Sequence, residues 1–276
     1  MAETNTQQAT AAPKADPGAA AFAVDQMALA RGRLSDRGID PNQVLGKGEL
    51  GDAITVAGFY GMLGMVAATE KAGQGPTHAM ARLALHAGLP TEIADTLFLA
   101  YNQQSAEEAG HGDKVFGNAY YSMGGFAPAL DLSAVGNGGG AGFLAPAENP
   151  KENKKRLGSI AAFLGGIETV ALNRVFPLVV SLCEQWNHPI GNDLLKQISD
   201  TVRPEESRHV LNWRYVFHHM IAQKGDGIVE MFLETTNAGR RNLGSPSLDR
   251  EALMRLLGSG APTPRQLLGK DRVAFS

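Results

Sequence analysis

An all-α fold is what this sequence predicts, and three observations carry that prediction. From about Gly51 onward, apolar residues recur at helical spacing, as do Ile93, Leu97, Ala100 and Tyr101, and again Leu195, Ile198, Val202, Val210 and Trp213. The strict apolar–polar alternation of a half-buried strand is missing. Helix-stopping runs, His86-Ala-Gly-Leu-Pro90 and Trp186-Asn-His-Pro189, punctuate the apolar stretches, each with proline just past the end.

Taken in order, residues 1–25 open in Ala, Thr, Gln and Pro with no apolar run of signal-peptide length, and read as a disordered tail. Residues 26–223 form the bundle. Its four long helices fall at about 51–88, 91–122, 151–187 and 192–223. The apolar run Ile54 to Ala68 is shorter than a bilayer span and meets Glu70 and Lys71, so a buried core helix is expected. Between the second and third helices, residues 124–150 carry Gly136, Gly138, Gly139, Gly140 and Gly142, through which no helix continues. One long crossover, carrying the chain from one end of the bundle to the other, is the plainer reading; a lid over a site is the alternative. Two short helices near 226–238 and 247–257 make a C-terminal extension, residues 224–276.

Bulk composition narrows the function. With 276 residues, 43% of them hydrophobic, the chain has enough apolar surface for one large core. A net charge of -3 gives nothing to neutralise a run of phosphates, so nucleic acid is not an expected partner. The single cysteine, Cys183, excludes an intrachain disulfide and a cysteine-based zinc site. It fits a reducing compartment, and a cytoplasmic protein with no membrane partner is the expectation.

The chemistry lies in a repeated spacing. Glu108-Ala-Gly-His111 and Glu206-Ser-Arg-His209 are both Glu-x-x-His, which places both side chains on one helix face, able to grip one ion. Singly, such a match means little: about 0.4 are expected by chance at this composition. The partners change that. Glu70 lies 38 residues before Glu108, and Glu168 lies 38 before Glu206. Finding glutamate at both places has a chance of about 0.003. In a helical hairpin, residues equidistant from the turn lie side by side, and the two midpoints, 89 and 187, fall on the two helix-stopping runs. Each arm of about 18 residues spans about 27 Å and returns its glutamate opposite its partner.

A glutamate followed by Glu-x-x-His, repeated on two hairpins, resembles the ligand pattern of the ferritin-like di-iron and di-manganese carboxylate proteins, among them bacterioferritin, rubrerythrin, soluble methane monooxygenase, the ribonucleotide reductase small subunit and the acyl-carrier-protein desaturases. The resemblance covers about 51–223 and implies a ferritin-like four-helix bundle. It implies Glu70 and Glu168 as single carboxylates, Glu108 and Glu206 as bridging ones, and His111 and His209 as one imidazole per ion. Such oxygen-rich donors suit two irons per chain, or a manganese–iron pair, with O2 as co-substrate. It also implies that Glu107 and Glu205 each orient the opposite histidine. The run Glu107-Glu-Ala-Gly-His-Gly-Asp113 is similar to the desaturases.

Around the ligands, Gly64, Ala67, Ala68, Gly165 and Gly166 are small; close helix approach and space for dioxygen and substrate explain them equally. Tyr101 and Gln104 precede Glu108 at one-turn steps and are expected, with Ala67 and Gly165, to line a pocket. The function expected from the resemblance is an O2-dependent oxidoreductase acting on a small organic or acyl substrate by hydroxylation, desaturation or N-oxidation, served by an external electron donor. The alternative is an iron-handling, ferroxidase or peroxide-scavenging protein. A homodimer is left open.

Overall fold

A computed structural model of the protein describes residues 17–45, 50–125, 145–221 and 225–269, and among these no strand occurs. The interior of the crossover (126–144), residues 1–16 of the expected tail and residues 270–276 lie outside the described residues.

Four arms dominate. The first is α3 (Leu50–His86), after α1 (Pro17–Asp36) and the short α2 (Pro41–Leu45). The second joins α4 (Thr91–Gly110) to α5 (Gly117–Ser122) through a π-helical turn, His111–Phe116. The third runs from α6 (Pro150–Val170) through a π turn, Ala171–Val175, into α7 (Phe176–Trp186). The fourth is α8 (Pro189–Gln197), a π turn at Ile198–Val202, then α9 (Arg203–Ile221). The first arm packs on the second and third, and the fourth closes the ring against the second and third. The helices α10 (Gly225–Asn242), α11 (Arg250–Leu257) and α12 (Pro264–Leu267) follow, with α10 lying along α6.

Local chemistry sets the ends. The first hairpin turns at Gly88, whose φ of +62° is open to glycine at no steric cost. At the second turn Asn187 adopts the left-handed conformation, and His188 then caps α8 by accepting from the Ile190 amide, 3.2 Å. Asn149 caps the third arm, with Pro150 just inside it. Asn153 ties the crossover exit to the first hairpin by donating to the His86 carbonyl, 2.9 Å.

One expectation is corrected here. The tail expected through residue 25 gives way to helix at Pro17: a proline tolerated in a first turn precedes an alanine-rich run of high helix propensity. The first arm also runs unbroken through Pro76, a residue that lacks the amide an interior helical position supplies. Hydroxyls add bonds in the turn before it, Thr77 donating to the Gly73 carbonyl (2.8 Å) and Ser105 to that of Gln74 (3.0 Å).

Two apolar clusters fill the bundle. One gathers Met80, Leu97, Leu157, Val216, Phe217 and Phe232 with Leu253 and Leu257 from the C-terminal helices. The other gathers Leu34, Phe59, Leu63, Phe116, Phe176, Cys183 and Ile198, and Leu34 and Leu45 bring α1 and α2 onto it. Each large side chain buried this way stabilises the fold by roughly 1.5–3 kcal/mol. One helix among the described residues, Pro150–Trp186, has the length and apolar composition of a membrane span. It is an arm of the bundle with Glu168 and Cys183 buried on it.

Candidate metal centre

Six ionisable side chains from four arms meet in the bundle interior. Glu70 comes from the first arm, Glu108 and His111 from the second, Glu168 from the third, Glu206 and His209 from the fourth. Glu206 is fully buried, and none of the other five exposes more than 8% of its surface. Burying an ion costs several kcal/mol unless an opposite charge meets it. Four carboxylates in one place therefore demand compensation, and the two histidines are the only cationic side chains in the cluster.

The six form two overlapping quartets. Glu70, Glu108, His111 and Glu206 offer one set of donor atoms, and Glu108, Glu168, Glu206 and His209 the other; within each, all donors lie within 4.8 Å of one another. Glu108 and Glu206 belong to both, so they stand where two ions would share ligands. Each histidine turns Nδ1 inward. His111 Nδ1 lies 2.9 Å from Glu206 and 3.2 Å from Glu70. His209 Nδ1 lies 3.2 Å from Glu206 and 3.3 Å from Glu108. One Glu206 oxygen, Oε1, is buried with no hydrogen-bonding donor, close to His111 Nδ1 but off its bonding direction. An unpaired buried carboxylate oxygen beside inward-facing imidazole nitrogens fits a cation better than it fits a closed hydrogen-bond network.

The outer nitrogens are held across the hairpins. His111 Nε2 meets Glu205 at 2.7 Å, and His209 Nε2 meets Glu107 at 3.0 Å. Such contacts fix the ring and leave Nδ1 free to act as a donor to a metal. Arg208, which nothing in the spacing singled out, lies 2.5 Å from Glu107 and 3.9 Å from Glu205, linking both orienting carboxylates. Gln104 spans the second quartet through Nε2, donating to Glu108 (3.2 Å) and Glu168 (3.1 Å), while its Oε1 accepts from Asn212 (3.0 Å). Asn212, one turn past His209, is the other residue the sequence reading missed; its only signal is that i,i+3 relation to a ligand candidate.

Crowded charge moves every proton affinity in the cluster. Burial, reinforced by repulsion from Glu206, pushes the Glu70 carboxyl up, and those of Glu108 and Glu168 well up. Burial also opposes charge on Glu206, yet the His209 charge and the close contacts of both histidines hold its carboxyl well below the usual range. Burial disfavours charged His111, but its close contacts with Glu205, Glu206 and Glu70 outweigh it and raise its pKa to about 12. His209, opposed by burial and favoured by Glu206 and Glu107, rises to about 10. Without a cation, the cluster compensates its charge by holding protons.

Backbone irregularity borders the same residues. His111 opens the first π turn, the second begins three residues after Glu168, and the third ends four residues before Glu206. A π turn inserts a residue into the helical register and re-aims the side chains beside it. Two have an evident cause: Pro177 and Pro204 lack the amide that would close a regular turn, and their rings clash with the carbonyl one turn earlier. The first contains no proline.

The small residues near the ligands serve close approach. A Cβ at Gly73 would come within 3.0 Å of the Glu108 carboxylate, so glycine leaves that carboxylate its place. At Gly165 it would collide with the Trp213 ring, so the expectation of open space beside Gly165 is corrected: tryptophan fills it. Ala67 is buried where the first and second arms touch, its carbonyl 3.0 Å from the position of a Cβ on Gly112. Tyr101 is buried in the apolar cluster with its hydroxyl unpaired, and its pKa is raised first by burial and then by Glu168.

The full chain matches no family model, no characterised protein and no solved structure in the comparisons made.

Proposed function

We propose that this protein is a ferritin-like di-metal oxidoreductase that uses O2 to oxidise a small organic substrate. The observation that carries the reading is the pair of buried quartets sharing Glu108 and Glu206. Two divalent ions would balance four carboxylates, and a donor set of carboxylates with one imidazole per ion suits iron or manganese better than zinc or copper. Glu70 and His111 would hold one ion, Glu168 and His209 the other, with Glu108 and Glu206 common to both. When bound, two ferrous ions, or a manganese–iron pair, supply the electrons that activate dioxygen for oxidation of a substrate.

The chain's own groups do the rest. Glu205 and Glu107 hold the outer imidazole nitrogens and keep both rings aimed inward. Gln104 fixes the Glu108 and Glu168 carboxylates relative to each other, and Asn212 fixes Gln104. The apolar clusters on either side exclude water from the charged layer. An external electron donor would complete each cycle, with nucleic acid and membrane outside the activity.

The test is anaerobic loading of the full chain with ferrous ion, then exposure to air in a stopped-flow spectrometer. Two irons bound per chain and a transient visible absorption support the proposal. Growth of a mineral core would move the reading to iron storage. Fewer than one ion per chain, unaltered in Glu108→Ala or His209→Ala, would end it.

A further inference from the structure

A cavity of about 760 Å³ opens on the flank of the third and fourth arms, where the C-terminal segment closes over them. That is within the range of small-molecule sites. Its lining divides by chemistry. Leu172, Val210, Leu211 and Leu256 give it an apolar side, and Arg203, Arg214 and Arg255 bring positive charge; no acidic residue lines it.

Arg214 is the informative one. Its Nε donates to the Leu257 carbonyl at 2.8 Å, and no carboxylate stands against the rest of its half-buried guanidinium among the described residues. The loop after α11 makes room for that head: Gly258 has φ +71°, and a side chain there would collide with the guanidinium. Arg203 is exposed at the same cavity and has no acidic partner among the described residues. Only Arg255 is paired, with Glu251. A guanidinium held partly out of water without a counter-charge is favourable ground for an oxyanion, which it can grip through two parallel N–H donors.

The cavity also lies along two of the arms that carry the six-residue centre, although none of the six lines it. Thr169, Ser207 and Val210 line it, and each is the chain neighbour of a candidate ligand, Glu168, Glu206 or His209. None of Tyr101, Gln104, Ala67 and Gly165, the positions the sequence suggested for a pocket, lines it.

We propose that this cavity binds an organic oxyanion carrying an apolar chain, a carboxylate or a phosphate ester, with Arg203 and Arg214 holding the charge and Leu172, Val210 and Leu211 covering the chain. Such an anion is the substrate class of the centre carried by the same arms, an assignment that rests on the di-metal reading.

The experiment is isothermal titration calorimetry on the full chain, metal-loaded and chelator-treated, with hexanoate, hexyl phosphate and neutral hexanamide. Hexanoate or hexyl phosphate is expected to bind at least about tenfold more tightly than hexanamide, and whichever is preferred identifies the head group. The preference is expected to disappear in Arg214→Gln and to shrink in Arg203→Gln, whose exposed site keeps the test free of folding effects. Equal affinity for all three probes, or a preference that both variants keep, would overturn the proposal. Metal content measured on the same samples separates the two ideas. Two metals per chain with no Arg203-dependent binding leaves the metal reading and removes this one. Arg203-dependent binding to a chain that takes up no metal leaves an anion site and removes its assignment as substrate.

Discussion

Glu107 and Glu205 contribute to the centre through the rings they hold. Each accepts the outer nitrogen of the histidine from the other hairpin, and Arg208 braces both. Replacing either by glutamine keeps its size and removes its charge, and metal affinity is expected to fall by about 10–100-fold, read by competition with a chromophoric chelator. An affinity equal to the parent protein's would mean that the rings are held by packing alone. Protonation gives a second prediction at this scale. In the metal-free protein His111 and His209 have folded pKa values of about 12 and about 10, above their ordinary 6.5, so their stabilisation is complete below 6.5 and is lost as pH rises through those folded values. The raised carboxyls of Glu70, Glu108 and Glu168 act in the same direction, losing stability as pH climbs above their ordinary 4.5. Glu206, held low, gains its part before 4.5 is reached and is level above it. The Tm of chelator-treated protein should therefore fall as pH rises from about 5 to about 8, and added metal, displacing those protons, should flatten the profile. A metal-free Tm that rises over the same interval would show that the cluster does not hold protons. The six residues of the cluster were readable because helical hairpins convert equal sequence distance into spatial proximity, whereas Glu107 and Glu205 followed only from the family resemblance. Arg208 was not readable, and Asn212 had only its i,i+3 relation to His209, too common a spacing on a helix to single out one polar residue.

At the scale of elements, three π turns border the ligand positions, and the one at Ile198–Val202 leads directly to Pro204 and Glu206. Pro204→Ala restores the missing amide and removes the ring, so the turn can close to regular α-helix and rotate what precedes it relative to Glu206 and His209. Helix content by circular dichroism should hold while metal affinity drops by about tenfold or more. Unchanged affinity would mean that the π turn has no part in aiming the ligands. Gly165→Ala tests packing: the added methyl meets the Trp213 ring, and a loss of about 1–3 kcal/mol is expected in urea unfolding. No loss would mean that the ring has space to move. The long helices were legible from periodicity and stop signals, and their observed ends lie within a few residues of those expected. The π turns were legible only where proline forces them; at His111–Phe116 tertiary packing makes the choice, and no residue announces it. The helix from Pro17 was hidden because a mixed Ala-rich run suits a tail as well as a helix, and packing against a distant partner decides between them.

Across the whole molecule, a charged layer lies between two apolar clusters, each drawing on helices outside the four arms. The N-terminal α1 and α2 complete one cluster, and α10 to α12 complete the other, with α11, α12 and the loop between them closing the arginine-lined cavity. The sequence foretold four arms and an internal repeat. It could not foretell this cavity, whose walls come from residues far apart in the chain with no shared period. The repeat is imperfect where it matters: the position equivalent to Gln104 is Val202, so one quartet has an amide spanning its carboxylates and the other has a buried valine at the matching position. The two candidate quartets are thus chemically unequal, and with limiting metal the one containing Glu168 and His209 is expected to fill first. The most direct measurement is anomalous X-ray diffraction at the iron edge on metal-loaded crystals. Two peaks per chain are expected, both in contact with Glu108 and Glu206, with one beside His111 and the other beside His209. Peaks elsewhere, or none within reach of these side chains, would contradict the centre on which everything above depends.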